Sequence, residues 1–127
     1  MAGLACREVS PAAWALLEWL CSDFVRIPDA WAEDAMRALA KGDGDVPIVC
    51  GESAAGGMAV LLKAATDQTL RTALALDENS QVVLFGCEGA TDPVIFEEIV
   101  GSSPDAVFER QFGWTMTAEN QALAARA

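Results

Sequence analysis

A glycine-rich stretch at residues 51–57 (GESAAGG) is the first candidate for binding chemistry. Gly51, Glu52 and Ser53 lie where a short apolar run gives way to a helical pattern, and the small residues after them let backbone approach a flat ligand. Helix N-termini favour anions, but the stretch has neither the Gly-Lys-Ser/Thr of a P-loop nor a dinucleotide fingerprint. Taken alone, it favours a structural interpretation, in which Gly and Ala allow tight packing and Glu52 caps the helix.

A second candidate lies at residues 86–89 (GCEG), directly after the continuous apolar run 81–85. The run is typical of a strand buried in a parallel sheet. Ligands of open α/β sheets bind beyond the carboxyl ends of the strands. Gly86 and Cys87 are therefore the second pair of candidate ligand-binding residues.

Metal and redox sites are not indicated by the sequence. The four cysteines are scattered without a CxxC spacing and the chain has no histidine, so we expect reduced thiols and no metal site. The two lysines, Lys41 and Lys63, fit a helix C-terminal charge and a helix surface position. We assign no catalytic residue.

Composition limits the classes of protein that are possible. The 127 residues are 53% hydrophobic and 21% charged, which predicts one folded domain and excludes a disordered chain. A net charge of −11 argues against binding to nucleic acid or to anionic membranes. No apolar stretch reaches the ~18 residues of a membrane span and no signal peptide is recognisable, so we expect a cytoplasmic protein.

Periodicity predicts helices alternating with short strands. Ser10 followed by Pro11 is a good helix start, and Lys41 with Gly42 is a good helix end. Five helices are predicted, at residues 11–22, about 31–41, about 53–65, 67–75 and 93–100. Three strands are predicted, at residues 24–27, 46–50 and 81–85. This order predicts an α/β fold with parallel strands.

Several segments together resemble the C-terminal part of the fold-type II enzymes that use pyridoxal phosphate (PLP), and most closely the diaminopropionate ammonia-lyase family. The resemblance covers residues 1–101, and residues 102–127 form a tail, docked or loose, that matches nothing recognised. The order and spacing of seven segments carry the resemblance. They are residues 1–6 (MAGLAC), 10–14 (SPAAW), 24–29 (FVRIPD), 35–36 (AM), 51–62 (GESAAGGMAVLL), 76–80 (LDENS) and 83–93 (VLFGCEGATDP).

The resemblance implies a three-layer parallel sheet with flanking helices, like that of the tryptophan synthase β subunit, and PLP as the cofactor. It places Glu52 and Ser53 beside the PLP ring, and a hydroxyl residue near Gly86 and Cys87 on the ring nitrogen. The family usually has Ser and Thr at the positions of Gly86 and Cys87, so here only the Cys87 thiol offers a weak contact. The segment that carries the PLP lysine has no counterpart.

The whole family member would act on an amino acid, converting 2,3-diaminopropionate to pyruvate and ammonia by α,β-elimination. The chain alone is expected to be inactive, and relatives of this kind imply a homodimer. Three alternatives stay open: a fragment of a threonine or serine dehydratase-like enzyme, a non-catalytic α/β interaction module that associates through the aromatic residues of the tail, and an unrelated small-ligand-binding α/β domain.

Overall fold

The computed structural model of the chain describes residues 4–5 and 8–124. Most of the first resembling segment, residues 1–6, therefore lies outside the described residues, as does the end of the tail, residues 125–127. The described part contains six α-helices: α1 (Pro11–Leu20), α2 (Asp29–Lys41), α3 (Glu52–Thr66), α4 (Gln68–Ala73), α5 (Pro93–Val100) and α6 (Pro104–Ala124).

The first five helices confirm the helical predictions to within one or two residues at most ends. Their ends show why the sequence could predict them. Ser10 caps α1, which begins with Pro11, and Asp92 accepts hydrogen bonds from two amides of α5, which begins with Pro93. The α2 helix ends at Gly42, whose φ of 76° is a left-handed conformation that glycine adopts without strain.

The predicted α/β fold with a three-layer parallel sheet is wrong, because the described residues form helices and irregular chain and no strand. A strand requires a neighbouring strand with which its backbone groups pair. Residues 24–27 and 81–85 make no backbone hydrogen bond to another described residue, and within 46–50 only Ile48 N makes one, donating to Leu39 O at 2.9 Å. The three apolar runs are present in the sequence, but the described residues do not pair them into a sheet.

The core is built from small side chains where α2 packs against α3. Ala35, Ala40, Ala55 and Ala59 are almost fully buried there, and Met36 lies among them. Alanine has only a methyl group beyond the backbone, so the two helices approach closely but bury little apolar area per residue. The same core is closed by larger side chains from α5 and α6, which are Phe96 and Val107.

Most of the tail forms α6, whose apolar residues follow no helical period. Val107 in its first turns is fully buried in the core. Arg110 donates a hydrogen bond of 3.1 Å to Ala40 O at the end of α2. The start of α6 is therefore docked against the core and the end of α2. The division of the chain between residues 101 and 102 stays a prediction.

Candidate functional site

The two candidate segments lie side by side at the N-terminus of α3. Gly51 is the N-terminal cap residue of α3, so Glu52 and Ser53 form the first turn. Gly51 N donates to Glu88 O at 3.3 Å, and Ser53 N donates to the Glu88 carboxylate at 3.0 Å. The structure thus brings Glu52 and Ser53 next to the segment that carries Gly86 and Cys87.

Glu88 is the residue that makes this junction. An N-terminal helix amide has no partner within its own helix, and a carboxylate there also interacts favourably with the helix dipole. The sequence analysis noted that helix N-termini favour anions, but it did not identify Glu88 as a group that lies there. The available signal was a lone acidic residue three positions after the apolar run 81–85, which did not reveal its partner 35 residues earlier.

Gly51 allows the close approach of the two segments. A Cβ atom at this position would lie 2.5 Å from the Glu88 carboxylate oxygen and 2.5 Å from Gly89 O. Its φ is −79°, which any residue adopts, so glycine is required for space and not for backbone conformation. By contrast, a Cβ at Gly86 or at Gly89 would meet no atom within 4 Å. The space that Gly51 leaves is occupied by the chain itself, and the open side of the junction lies at Gly86 and Gly89.

Cys50 lies buried behind the junction, only 4% exposed. Burial, followed by electrostatic repulsion from Cys87 and Glu88, raises the pKa of the Cys50 thiol from 9.0 to about 11. The thiolate is the reactive form of cysteine, so Cys50 is not a nucleophile near neutral pH. Cys87 is exposed, and Cys21 is partly so.

Neither lysine lies at the junction. Lys41 forms an exposed ion pair with Asp43 at 3.1 Å, beyond the end of α2. Lys63 is on α3, eleven residues after Glu52 and therefore roughly 16 Å further along the helix axis. Its ammonium group lies 5.5 Å from the centre of the Trp31 ring and 4.0 Å from the Asp67 carboxylate.

These residues do not by themselves fit PLP. The amide of Ser53, which would attract an anion, already binds Glu88, and no lysine is close enough to bond covalently to a cofactor at the junction. The cleft lined by Gly51, Glu52 and Gly89 has a volume of about 10 Å³, enough for no more than one water molecule. The described residues supply at most one edge of a site for a planar cofactor. The assignment of Glu52, Ser53, Gly86 and Cys87 to PLP stays a prediction.

Two wider clefts lie away from the junction. One, of about 570 Å³, is lined by residues of α3 and α4 and by the turn at residues 76–82, including Arg71 and Asp77. The other, of about 660 Å³, lies between residues 24–27 and the Gly56–Gly57 pair of α3. No group of three His, Cys, Asp or Glu side chains that could bind a metal ion occurs among the described residues. No helix in the described part of the chain is both long and apolar enough to cross a membrane.

Comparison with curated proteins relates the chain to the ammonia-lyases. More particularly, the relatives are diaminopropionate ammonia-lyases. The relative from Escherichia coli (strain K12) is 36% identical over 111 residues, which are 84% of this chain and 28% of that protein. The relative from Salmonella typhimurium (strain LT2) is 35% identical with the same coverage. No family model matches the sequence.

These comparisons confirm the resemblance that the sequence motifs indicated. The chain spans only about 28% of the length of the curated relatives that it matches, as a fragment of such an enzyme would. The relatives' names support a lyase family member.

Proposed function

We propose that the chain is the C-terminal part of a PLP-dependent ammonia-lyase that acts on 2,3-diaminopropionate. The complete enzyme would consume one water and release pyruvate and two molecules of ammonia by α,β-elimination. The observation that carries the proposal is the 36% identity over 84% of this chain to proteins named for that reaction. A threonine or serine dehydratase-like fragment is the runner-up, which no feature of the structure favours.

In the complete enzyme, Glu52 and Ser53 would line one edge of the cofactor and Gly86 with Cys87 would line the adjoining edge. The two hydrogen bonds that Gly51 N and Ser53 N donate to Glu88 hold the two segments in register. The lysine that bonds to PLP, the phosphate-binding loop and the loop that binds the substrate carboxylate would come from other sequence. The chain alone would therefore be inactive, which the positions of Lys41 and Lys63 support.

A non-catalytic interaction module is a second candidate, because large apolar side chains are exposed. Three of the four tryptophans are at least 40% exposed, and Trp19 reaches 85%. Such a surface suits a protein that binds another polypeptide, whether or not the assembly is catalytic. The cytoplasmic location and the homodimer stay predictions from the sequence.

The direct test incubates the purified chain with PLP and 2,3-diaminopropionate and measures pyruvate with a coupled lactate dehydrogenase assay. The E. coli relative is the positive control. We expect no pyruvate above background and no PLP adduct fixed by borohydride at a defined lysine. Turnover by the chain alone, lost in Lys41→Ala or Lys63→Ala, would overturn the proposal that catalysis requires the rest of an enzyme.

A further inference from the structure

The cleft of about 570 Å³ lies at the C-terminal end of α3, where this helix meets α4 and the turn at residues 76–80. Its lining includes Ala65, which is thirteen residues after Glu52 and therefore roughly 20 Å from it along the helix axis. Small-molecule sites typically have volumes of about 300–1,000 Å³. The cleft is thus large enough for a small ligand and lies at the opposite end of α3 from the junction with Glu88.

Arg71 supplies a positive charge to this cleft. It is half-buried on α4, where its Nε donates to Ala64 O at 3.0 Å and its Nη2 donates to Ala65 O. These two hydrogen bonds fix the guanidinium group against the end of α3. Its Nη1 donates to no described residue, and no carboxylate of the described chain forms an ion pair with Arg71. The donors of Nη1 can therefore bind an anionic group of a ligand.

Two exposed carboxylates from the turn line the same cleft, those of Asp77 and Glu78. Asp77 Oδ1 accepts hydrogen bonds from Asn79 N at 2.9 Å and from Ser80 Oγ at 3.0 Å, which fixes the turn. Within the described part of the chain, Glu78 makes no hydrogen bond or ion pair. Because neither carboxylate pairs with Arg71, the cleft keeps opposite charges apart on its walls.

Apolar side chains complete the lining of the cleft. Leu61 and Leu76 are half-buried there, and Val82 is 44% exposed. A simple anion is a poor ligand for this lining because the two carboxylates repel it, and a simple cation is a poor one because the guanidinium group repels it. A small zwitterion with an apolar side chain complements the positive group, the negative groups and the apolar wall together.

We propose that the cleft between α3, α4 and the turn at residues 76–80 binds a free α-amino acid with an aliphatic side chain. Arg71 binds the carboxylate of this ligand, Asp77 and Glu78 bind its ammonium group, and its side chain packs on Leu61 and the neighbouring apolar residues. The inference goes beyond the proposed function and does not rest on it, because none of these residues is a candidate for binding PLP.

The experiment uses L-leucine as the probe, with two analogues that each lack one charge. The analogue 4-methylpentanoate lacks the ammonium group of leucine, and isopentylamine lacks its carboxylate. Each compound is titrated into the purified 127-residue chain labelled with ¹⁵N, and NMR follows the amide signals of residues 61–80. We expect saturable binding of L-leucine with a Kd below about 1 mM. Each analogue should bind at least roughly tenfold more weakly, because it loses the hydrogen bonds to one charged group.

Two substitutions assign the binding to the cleft. Arg71→Gln should weaken the binding of L-leucine at least roughly tenfold, although it also removes hydrogen bonds to the end of α3. Glu78→Gln disturbs no contact among the described residues and should weaken L-leucine roughly threefold or more without weakening 4-methylpentanoate. The matched control is Glu98→Gln, which removes the same charge from an exposed position on α5. Circular dichroism and urea unfolding check that all three variants fold.

Three results would overturn the proposal. They are the lack of saturable binding of L-leucine, binding of 4-methylpentanoate as tight as that of L-leucine, and equal effects of Glu78→Gln and Glu98→Gln. Because the measurement is binding and not pyruvate production, its outcome is independent of the lyase assay. An amino-acid site without lyase activity, or lyase activity of the complete enzyme without this site, would separate the two proposals.

Discussion

Replacing Gly51 by alanine tests the junction between the two candidate segments directly. The added methyl group would lie 2.5 Å from Gly89 O, whereas an ordinary contact requires at least 3.4 Å. The Glu88 side chain can rotate away, but the Gly89 carbonyl belongs to the backbone, so the segment at residues 86–89 must shift by roughly 1 Å relative to α3. That shift also breaks the hydrogen bond from Ser53 N to Glu88.

The free energy of unfolding should fall by about 1–3 kcal/mol in Gly51→Ala. Overpacking of a filled site costs about 1–3 kcal/mol, and loss of a charge-assisted hydrogen bond costs about 1 kcal/mol more. The lower conformational entropy of alanine in the unfolded chain offsets about 0.4–1 kcal/mol. The backbone conformation contributes no strain, because φ −79° and ψ 178° suit alanine as well as glycine.

Urea unfolding followed by circular dichroism measures this change, with Gly89→Ala as the matched control. A Cβ at Gly89 meets no atom within 4 Å and its φ is not in the left-handed region, so this variant should be neutral or slightly stabilised. Unchanged stability of Gly51→Ala would refute the close approach of the two segments. Equal destabilisation by both substitutions would show that the glycines are required for a reason other than the contact with Glu88 and Gly89.

Three further predictions follow from the contacts around the core. Glu88→Gln keeps the shape of the cap but removes its charge, so the free energy of unfolding should fall by about 0.3–1 kcal/mol. The pKa of the Cys50 thiol should also fall, as measured by the pH dependence of alkylation. An unchanged pKa would place Glu88 away from Cys50. Because the folded pKa of Cys50, about 11, exceeds the unfolded value of 9.0, the folded state retains its proton longer and stability should decline between these pH values. Cys50→Ala should lose this part of the decline, and a decline of the same size in that variant would contradict the assignment. Arg110→Met should destabilise the docking of α6 by about 1–2 kcal/mol through loss of the partly buried hydrogen bond to Ala40 O. Arg37→Met, which removes a hydrogen bond and ion pairs that are exposed to solvent, should cost less in the same urea titration.

Local signals predicted the helices well because each is encoded within a few residues. Pro11 after Ser10, Pro93 after Asp92 and Gly42 after Lys41 mark helix ends regardless of what the rest of the chain does. The α6 helix was missed because its apolar residues follow no helical period, and its position depends on the burial of Val107 against distant elements.

The sheet was predicted wrongly because strands are encoded by pairs of segments. The run at residues 81–85 is apolar and β-prone, but these five residues do not determine whether another segment lies beside them to pair with their backbone groups. For the same reason the adjacency of Ser53 and Glu88, separated by 35 positions, could be anticipated only through the family resemblance. The resembling segment 83–93 contains Glu88, but the resemblance did not indicate that this residue accepts a hydrogen bond from the first turn of α3.

The distribution of large and small side chains links the fold to the proposed role. Alanines dominate the buried core, whereas Trp19, Val83 and Phe85 are more than three quarters exposed. At about 25 cal/mol per Å² of apolar area removed from water, covering these three large side chains would stabilise the chain further. A lone domain would be expected to use its largest apolar residues in its own core. Under the proposed function the rest of the enzyme would cover these side chains, so the complete enzyme should unfold at a higher urea concentration than this chain alone.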